Sequence, residues 1–460
     1  MFGIDRGVQN AVGSAEYGLY FSLFNFSLIL NILLDLGITN FNNRNIAMHN
    51  QLLSKHLSNV VVLKFLLSIV YAIVCFTAAF IIGYDAKQMY LLVFLVINQF
   101  LLSFIMYLRS NLSALHLFRT DSIVSVLDRF IMIIICSLLL WGNVTDSPLQ
   151  IEWFVYSQTA AYVATAIVSF IIVFVRLEFF SFHYDRTFFI AFLKQSYPFA
   201  LLILLMAFYN RIDSVMLERM LPDGKIEAGI YAQSFRVLDA ASMFAYLFAG
   251  LLLPIFSKLI KNQQPINEML QLSYRLIFIP ALIFVTVCIV YGHDIIKVLY
   301  PQQDHYYSGQ VFIYLIPGFI AVSTTYIYGT LLTANGNLRN LNILAFSSML
   351  LNIILNLILI PYYKAQGSAI SSLVTQFVMA FGQILLVNKY FRLKVSYTYI
   401  VQIILFISSL ILTTWLITSI ISQWFVGFLL ICGLGFIYAF LIKLINIKSL
   451  YQLVRNRDED

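Results

Sequence analysis

The strongest constraint on this chain is a series of apolar runs, each long enough to cross a bilayer and separated by short connections. A bilayer core of about 30 Å takes about 20 apolar residues in a helix. Runs of that length fall at roughly 17–37, 60–82, 89–108, 122–142, 153–175, 197–217, 229–256, 275–299, 309–333, 340–360, 367–388, 398–421 and 424–442. Only 11% of the residues are charged, against about 25% in soluble domains, so the chain cannot cover a water-facing surface. Open sheets would leave edge groups unpaired in lipid, and the runs lack the two-residue alternation of a membrane barrel. The expected fold is an all-α polytopic membrane protein with about thirteen spans.

Charge on the connections sets the expected orientation. The segments 38–64, 108–121, 176–196, 257–275, 334–339, 389–397 and 443–460 carry 19 Lys and Arg, and the opposite set carries 6. By the positive-inside rule the first set is cytoplasmic, which puts the C-terminus inside and residue 1 outside. The net charge of +7 therefore reads as membrane topology, and no nucleic acid partner is expected. Residues 1–16 show no basic n-region followed by an apolar stretch, so no cleavable signal is read there. Cys75, Cys136, Cys288 and Cys432 lie in apolar runs and read as small core residues. No connection is long enough for a separate domain. The tail 455–460 reads as a short charged end.

The chain repeats itself. Glu16-Tyr17-Gly18-Leu19-Tyr20 opens one span, and Glu227-Ala228-Gly229-Ile230-Tyr231 opens another. Six spans separate the two copies, so both enter the membrane with the same sense. This is a parallel repeat about an axis along the membrane normal. In the second copy a whole span, 197–217, precedes the motif and ends Arg211-Ile212-Asp213-Ser214-Val215. In the first copy only Gly3-Ile4-Asp5-Arg6-Gly7-Val8 and its neighbours precede it. The first helix is thus expected to be missing or present only by its outer end, with the true start about 20 residues upstream or the chain truncated.

Phosphate-loop, zinc-protease and dinucleotide-binding motifs are absent from the sequence. The chain is therefore not expected to be an enzyme, and no cofactor or metal site is expected. His49 and His56 sit in a segment, 46–59, that reads as an interfacial amphipathic helix. The informative residues are charges inside spans: Asp35, Asp128, Arg129, Arg211, Asp213, Arg236 and Asp239. Such residues are costly in lipid and mark pathways or paired sites. Arg236 and Asp239 are i, i+3 and can pair, whereas Arg211 and Asp213 point to different faces. Arginine donates a planar fork of hydrogen bonds suited to phosphate oxygens. Arg211, Arg236 and Arg129 are accordingly the candidate substrate-cavity residues. Asp35, Asp128, Asp213 and Asp239 are the candidates for ion coupling or gating, with static salt bridges as the competing reading. Asn352 and Asn356 share one helix face and suit interhelical hydrogen bonds. Pro280 and Pro317-Gly318 interrupt apolar runs and can bend helices.

The stretch Ile4-Asp5-Arg6-Gly7-Val8-Gln9-Asn10, then Glu16 to Tyr20, Leu34-Asp35-Leu36-Gly37-Ile38 and Asn43-Arg44 resembles the polysaccharide transporters. These are the O-antigen-type flippases of the multidrug/oligosaccharidyl-lipid/polysaccharide exporter superfamily. Arg211-Ile212-Asp213, Asn352 to Asn356, Ile360-Pro361 and Gly367-Ser368-Ala369-Ile370 fit later helices of that family, so the resemblance spans nearly the whole chain. It implies two pseudo-symmetric six-helix lobes in a V around a central cavity, plus two appended helices. The lobes would be 1–180, with its first helix mostly missing, and 181–392; residues 393–460 would hold the appended helices and the tail. It further implies export of undecaprenyl-diphosphate-linked oligosaccharide across the bacterial inner membrane for surface polysaccharide such as lipopolysaccharide O-antigen. The drive would be an ion gradient, H+ or Na+, with polysaccharide polymerase and glycosyltransferases as functional partners. A cation-coupled multidrug antiporter of the same superfamily is the alternative, and three in-span arginines count against it. A membrane polymerase or glycosyltransferase is a third reading, disfavoured by the short outer loops.

Overall fold

The computed structural model describes residues 2–39, 53–142, 147–175, 186–301, 304–393 and 397–444. The expected interfacial segment 46–59 lies largely outside the described residues, as do Asn43-Arg44 and the charged tail. Every element among the described residues is helical. The chain forms two compact units, Met1–Ala232 and Gln233–Asp460.

In the first unit α1 (Phe2–Ile29) breaks at Gly13, whose φ of 82° and ψ of 168° interrupt the helix. That region is open essentially to glycine alone. The limb 2–12 therefore turns sharply into the limb that carries Glu16 to Tyr20. A 3-10 turn, Asn31–Leu34, follows, and Leu36 and Gly37 both take positive φ. Next come α2 (Leu53–Ile82), α3 (Ala86–Ala114), α4 (Phe118–Trp141), α5 (Ile151–Phe174) and α6 (Arg186–Met220). The α2–α3 corner is built from local chemistry. Gly83, at φ 83°, donates to the Phe80 carbonyl and Tyr84 donates to that of Ala79, both at 3.1 Å, which closes α2 in a Schellman motif. Asp85 and Gln88 then exchange capping bonds at 2.8 and 2.9 Å to start α3.

Helix α7 (Gly224–Lys261) begins in the first unit and runs into the second. Within the first unit its opening turn crosses the second limb of α1 at backbone contact. A Cβ on Gly18 would lie 1.9 Å from the Lys225 carbonyl oxygen, and one on Gly229 would lie 2.0 Å from that of Ser14. The two glycines of the sequence repeat therefore face each other. Small residues let membrane helices approach this closely. Gln9 also donates to the Gly229 carbonyl at 2.8 Å. The limb 2–12 with its Gly13 corner stands to Gly18 as the end of α6 and its corner stand to Gly229.

The second unit continues with α8 (Asn267–Val290), α9 (Gly292–Leu299), α10 (His305–Leu315), α11 (Gly318–Ala334), α12 (Leu338–Phe391), α13 (Tyr397–Ile420) and α14 (Trp424–Leu441). Pro317 separates α10 from α11, whereas α8 runs through Pro280. Helix α12 breaks at Lys364, with φ 50° and ψ −128°, so its 54 residues hold two of the expected spans. Helices α13 and α14 pack with α8 through Ile279, Ile283, Val287, Phe406, Leu410 and Ile431. Tyr291, at the end of α8, is held against Gly427, and burial pushes its hydroxyl pKa up.

Among the described residues, eleven helices are long and apolar enough to cross a membrane. The two limbs of α12 count as one of these, and the first expected span, 17–37, falls on the short second limb of α1. Together they account for the thirteen runs. The outside of the helices is apolar, with Phe80, Ile81 and Phe244 each more than three-quarters exposed. Their interior is comparatively polar, and Gln9, Asn25, Asn98, Gln99, Asn352 and Asn356 are all buried. A water-soluble protein shows the reverse. This is a multi-pass membrane protein. All four cysteines are free.

Candidate functional site

The polar core of the first unit gathers into three groups along the helices. The first centres on α6. Arg211 donates from Nη1 to Asn25 Oδ1 at 3.2 Å. Asn25 donates from Nδ2 to Ser214 Oγ at 2.9 Å, and Ser214 donates back to the Arg211 carbonyl at 3.2 Å. Asn25 and Ser214 are buried while Arg211 is only half-buried. Buried Asn25 thus holds the guanidinium of the half-buried Arg211, and Ser214 ties Asn25 to the Arg211 backbone. Two residues on, Asp213 is buried and accepts from the Tyr231 hydroxyl at 2.8 Å. The expectation that Arg211 and Asp213 use different faces holds, since one meets α1 and the other meets α7. Tyr231→Phe removes a donor to a buried carboxyl. It is expected to destabilise the fold by about 1–3 kcal/mol, measured as a lowered melting temperature in detergent.

The second group lies at and beyond the C-terminal end of α1. Lys64 is 1% exposed and its Nζ lies 2.6 Å from Asp35 Oδ1. The ammonium also donates to the Leu34 carbonyl at 3.0 Å and to Ser103 Oγ at 2.9 Å, which uses its three protons. Asp35 sits after the 3-10 turn, and its Oδ1 accepts from the backbone and hydroxyl of Thr39. The corner at Leu36-Gly37 is therefore tied to α2 and α3. Beside it Asn31 donates to Gln99, and Tyr71 donates to the Ser27 carbonyl at 2.8 Å. Reading the sequence for charges inside spans found Asp35 and missed Lys64. The lysine lies at the border of its apolar run, where a long side chain ordinarily reaches water. An i, i+4 apolar flank around a single cation, Val60 and Val61 before it and Leu67 after it, all buried, was the available signal.

The third group closes the end near Gly13 and Gly83. Lys87 bridges Glu16 at 2.8 Å and Glu152 at 3.5 Å. Gln88 donates to Glu218 Oε1 at 2.8 Å. Arg219 donates to the carbonyls of Ile82 and Gly83 at 3.2 and 3.1 Å and lies over the Tyr84 ring. Burial, and then the Glu218 charge, push the Tyr84 hydroxyl pKa well up. Apart from Glu16, which opens the first copy of the repeat, these residues did not stand out in the sequence, because each is a charged or polar group near a helix end, where solvation is the ordinary expectation.

Asp128 is half-buried and Arg129 is exposed on α4. In the second unit Arg236 and Asp239 are half-buried on α7. Asn352 and Asn356 are fully buried on α12, and Asn356 donates to Asn352 along their own helix at 3.1 Å. Arg275 stacks over the Tyr399 ring at 4.3 Å. Among the described residues no three His, Cys, Asp or Glu side chains group as metal ligands.

This architecture, with polar groups buried inside apolar helices, is that of a multi-pass membrane protein. It is similar to the lipid II flippase MurJ in an inward closed conformation, at 16% identity and a TM-score of 0.70, covering 98% of this chain and 97% of that one. It is also similar to an inward-facing multidrug resistance MATE family transporter of the MOP superfamily, at 14% identity and a TM-score of 0.67 over 85% and 94% of the two chains. A third similar structure is a MOP superfamily transporter from Pyrococcus furiosus, at 14% identity and a TM-score of 0.58, covering 85% of this chain and 91% of that one. No curated protein sequence matches the chain. The family described as polysaccharide biosynthesis protein matches residues 8–260, and the chain belongs to that family.

Proposed function

We propose that this protein is a flippase that exports lipid-linked oligosaccharide across the bacterial inner membrane, with its C-terminus in the cytoplasm. The family match carries the substrate class, since the fold is shared with both MurJ and MATE transporters. Undecaprenyl diphosphate is the carrier that fits a bacterial surface polysaccharide. The observation that carries the site is Arg211, a guanidinium fixed by Asn25 inside an apolar span yet only half-buried. A diphosphate headgroup needs such a cation, and a cationic drug is repelled by it. Arg236 and Arg129 are further candidates for headgroup contacts. Asp35, Asp128, Asp213 and Asp239 are candidates for ion coupling or gating, with H+ or Na+ as the driving ion. Substrate would be supplied by glycosyltransferases and consumed by a polymerase.

The test is deletion followed by complementation. Cells lacking the gene are expected to accumulate lipid-linked repeat units facing the cytoplasm and to lose surface polysaccharide. Arg211→Ala should restore less than about a tenth of the wild-type surface polysaccharide, the loss expected when a bidentate, charge-assisted contact worth about 1.5–3 kcal/mol is removed. Arg211→Lys should restore an intermediate amount. Normal polysaccharide in the deletion strain, with drug efflux restored by the same gene, would establish the antiporter reading instead.

A further inference from the structure

Glu218 occupies an unusual position. It lies in the span Tyr197–Met220, and its side chain is 3% exposed. Gln88 binds Oε1, but Oε2 is buried and has no hydrogen-bond partner among the described residues. The buried hydroxyls of Tyr84 and Ser22 lie nearby and interact with each other, and the Glu218 charge acts on the Tyr84 hydroxyl as well. Glu218 Oε2 is thus a bare carboxylate oxygen where α1, α3 and α6 converge. The nearby cations are otherwise engaged. Arg219 Nη1 stands 3.8 Å from Glu218 Oε1, while the guanidinium donates to the Ile82 and Gly83 carbonyls and to Gln88 Oε1. Lys225 lies 3.8 Å from Asp85, and Lys87 serves Glu16 and Glu152. A buried carboxylate with an oxygen left bare is costly when ionised. Adding one proton removes the charge.

We propose that Glu218 is a proton-binding site, taking a proton at Oε2. The proton comes from water and returns to water, and no other bond changes. When it leaves, the new carboxylate competes for Arg219 with the two carbonyls that fix the Gly83 corner. Proton occupancy is thereby linked to the closure of this end, beside the Gly18–Gly229 crossing. As a coupling site this deepens the flippase reading and rests on it, but the proton itself can be detected without any substrate.

The experiment is infrared difference spectroscopy of the full chain in lipid, titrated between acidic and alkaline pH. A protonated carboxyl C=O band is expected near neutral pH in the wild type and absent in Glu218→Gln. Arg219→Gln should raise the midpoint of that band by about one pH unit, since it removes a neighbouring cation. If Glu218→Gln fails to fold, the Arg219→Gln shift still decides. No such band in the wild type, the same band in Glu218→Gln, or an unmoved midpoint in Arg219→Gln overturns the proposal. Any of these leaves the flippase reading intact, because that reading is tested by polysaccharide in cells.

Discussion

Replacing either glycine of the crossing with valine, Gly18→Val or Gly229→Val, is expected to abolish accumulation of folded protein. At both sites the first added carbon would fall 1.9–2.0 Å from a backbone carbonyl oxygen of the facing helix. A side chain can swing aside, but a helix backbone moves only as a whole. Overpacking commonly costs about 1–3 kcal/mol. Two helices meeting main chain to main chain place these substitutions at or above the top of that range. Separating the helices would also strain the Gln9 bond to the Gly229 carbonyl. Gly433→Val is the matched control, because nothing lies within 4 Å of its added carbon. Size-exclusion profiles of tagged protein in mild detergent give the readout. Equal monodisperse peaks for Gly18→Val and Gly433→Val would show that the crossing does not hold the unit together.

The second large effect is expected at the Lys64–Asp35 pair. Lys64→Met leaves Asp35 beside the apolar interior without its cation. Breaking a buried pair by removing one partner costs about 3–5 kcal/mol, and the Leu34 carbonyl and Ser103 hydroxyl lose a donor as well. Asp35→Asn should cost at least as much as Lys64→Met, because it leaves the Lys64 ammonium, 1% exposed, without its counter-charge, whereas Lys64→Met strands a carboxylate that keeps 26% of its surface exposed. Adding Asp35→Asn to Lys64→Met should recover part of the stability, since no uncompensated charge then remains. Thermal melting of the three variants checks this. A double variant no more stable than Lys64→Met would show that the carboxylate charge is not what Lys64 neutralises.

The spans could be read from the sequence because bilayer thickness turns a three-dimensional fold into a one-dimensional count of apolar residues. The breaks at Gly13 and Lys364 were harder. Glycine at 13 hints at a corner, whereas a left-handed lysine carries no local signal. Asp35 was legible as a costly charge, but its partner was not, because Lys64 sits where an apolar run begins and a long side chain ordinarily reaches water. Arg211 was legible for the same reason as Asp35. Asn25 was invisible, since a buried amide becomes informative only when its neighbour is known. Glu218 was hidden by position. At a helix end a glutamate is expected to be solvated, and only the packing of Gln88 and Tyr84 over it makes it unusual. The resemblance to polysaccharide transporters pointed to the family that the chain belongs to. The roles it implied for individual residues rest on the variants described above.

The repeat was noticed as matching letters and proved to be a place of touch. Repeated segments drift apart wherever their environments differ. Gly18 and Gly229 are different, because the environment of each is the other. Enlarging Gly18 intrudes on the helix of Gly229, and enlarging Gly229 intrudes on that of Gly18. Neither copy could change first. On this view the shared glycine is a deadlock between two lineages joined in one chain, and other surviving identities between the halves are places to look for further self-contacts.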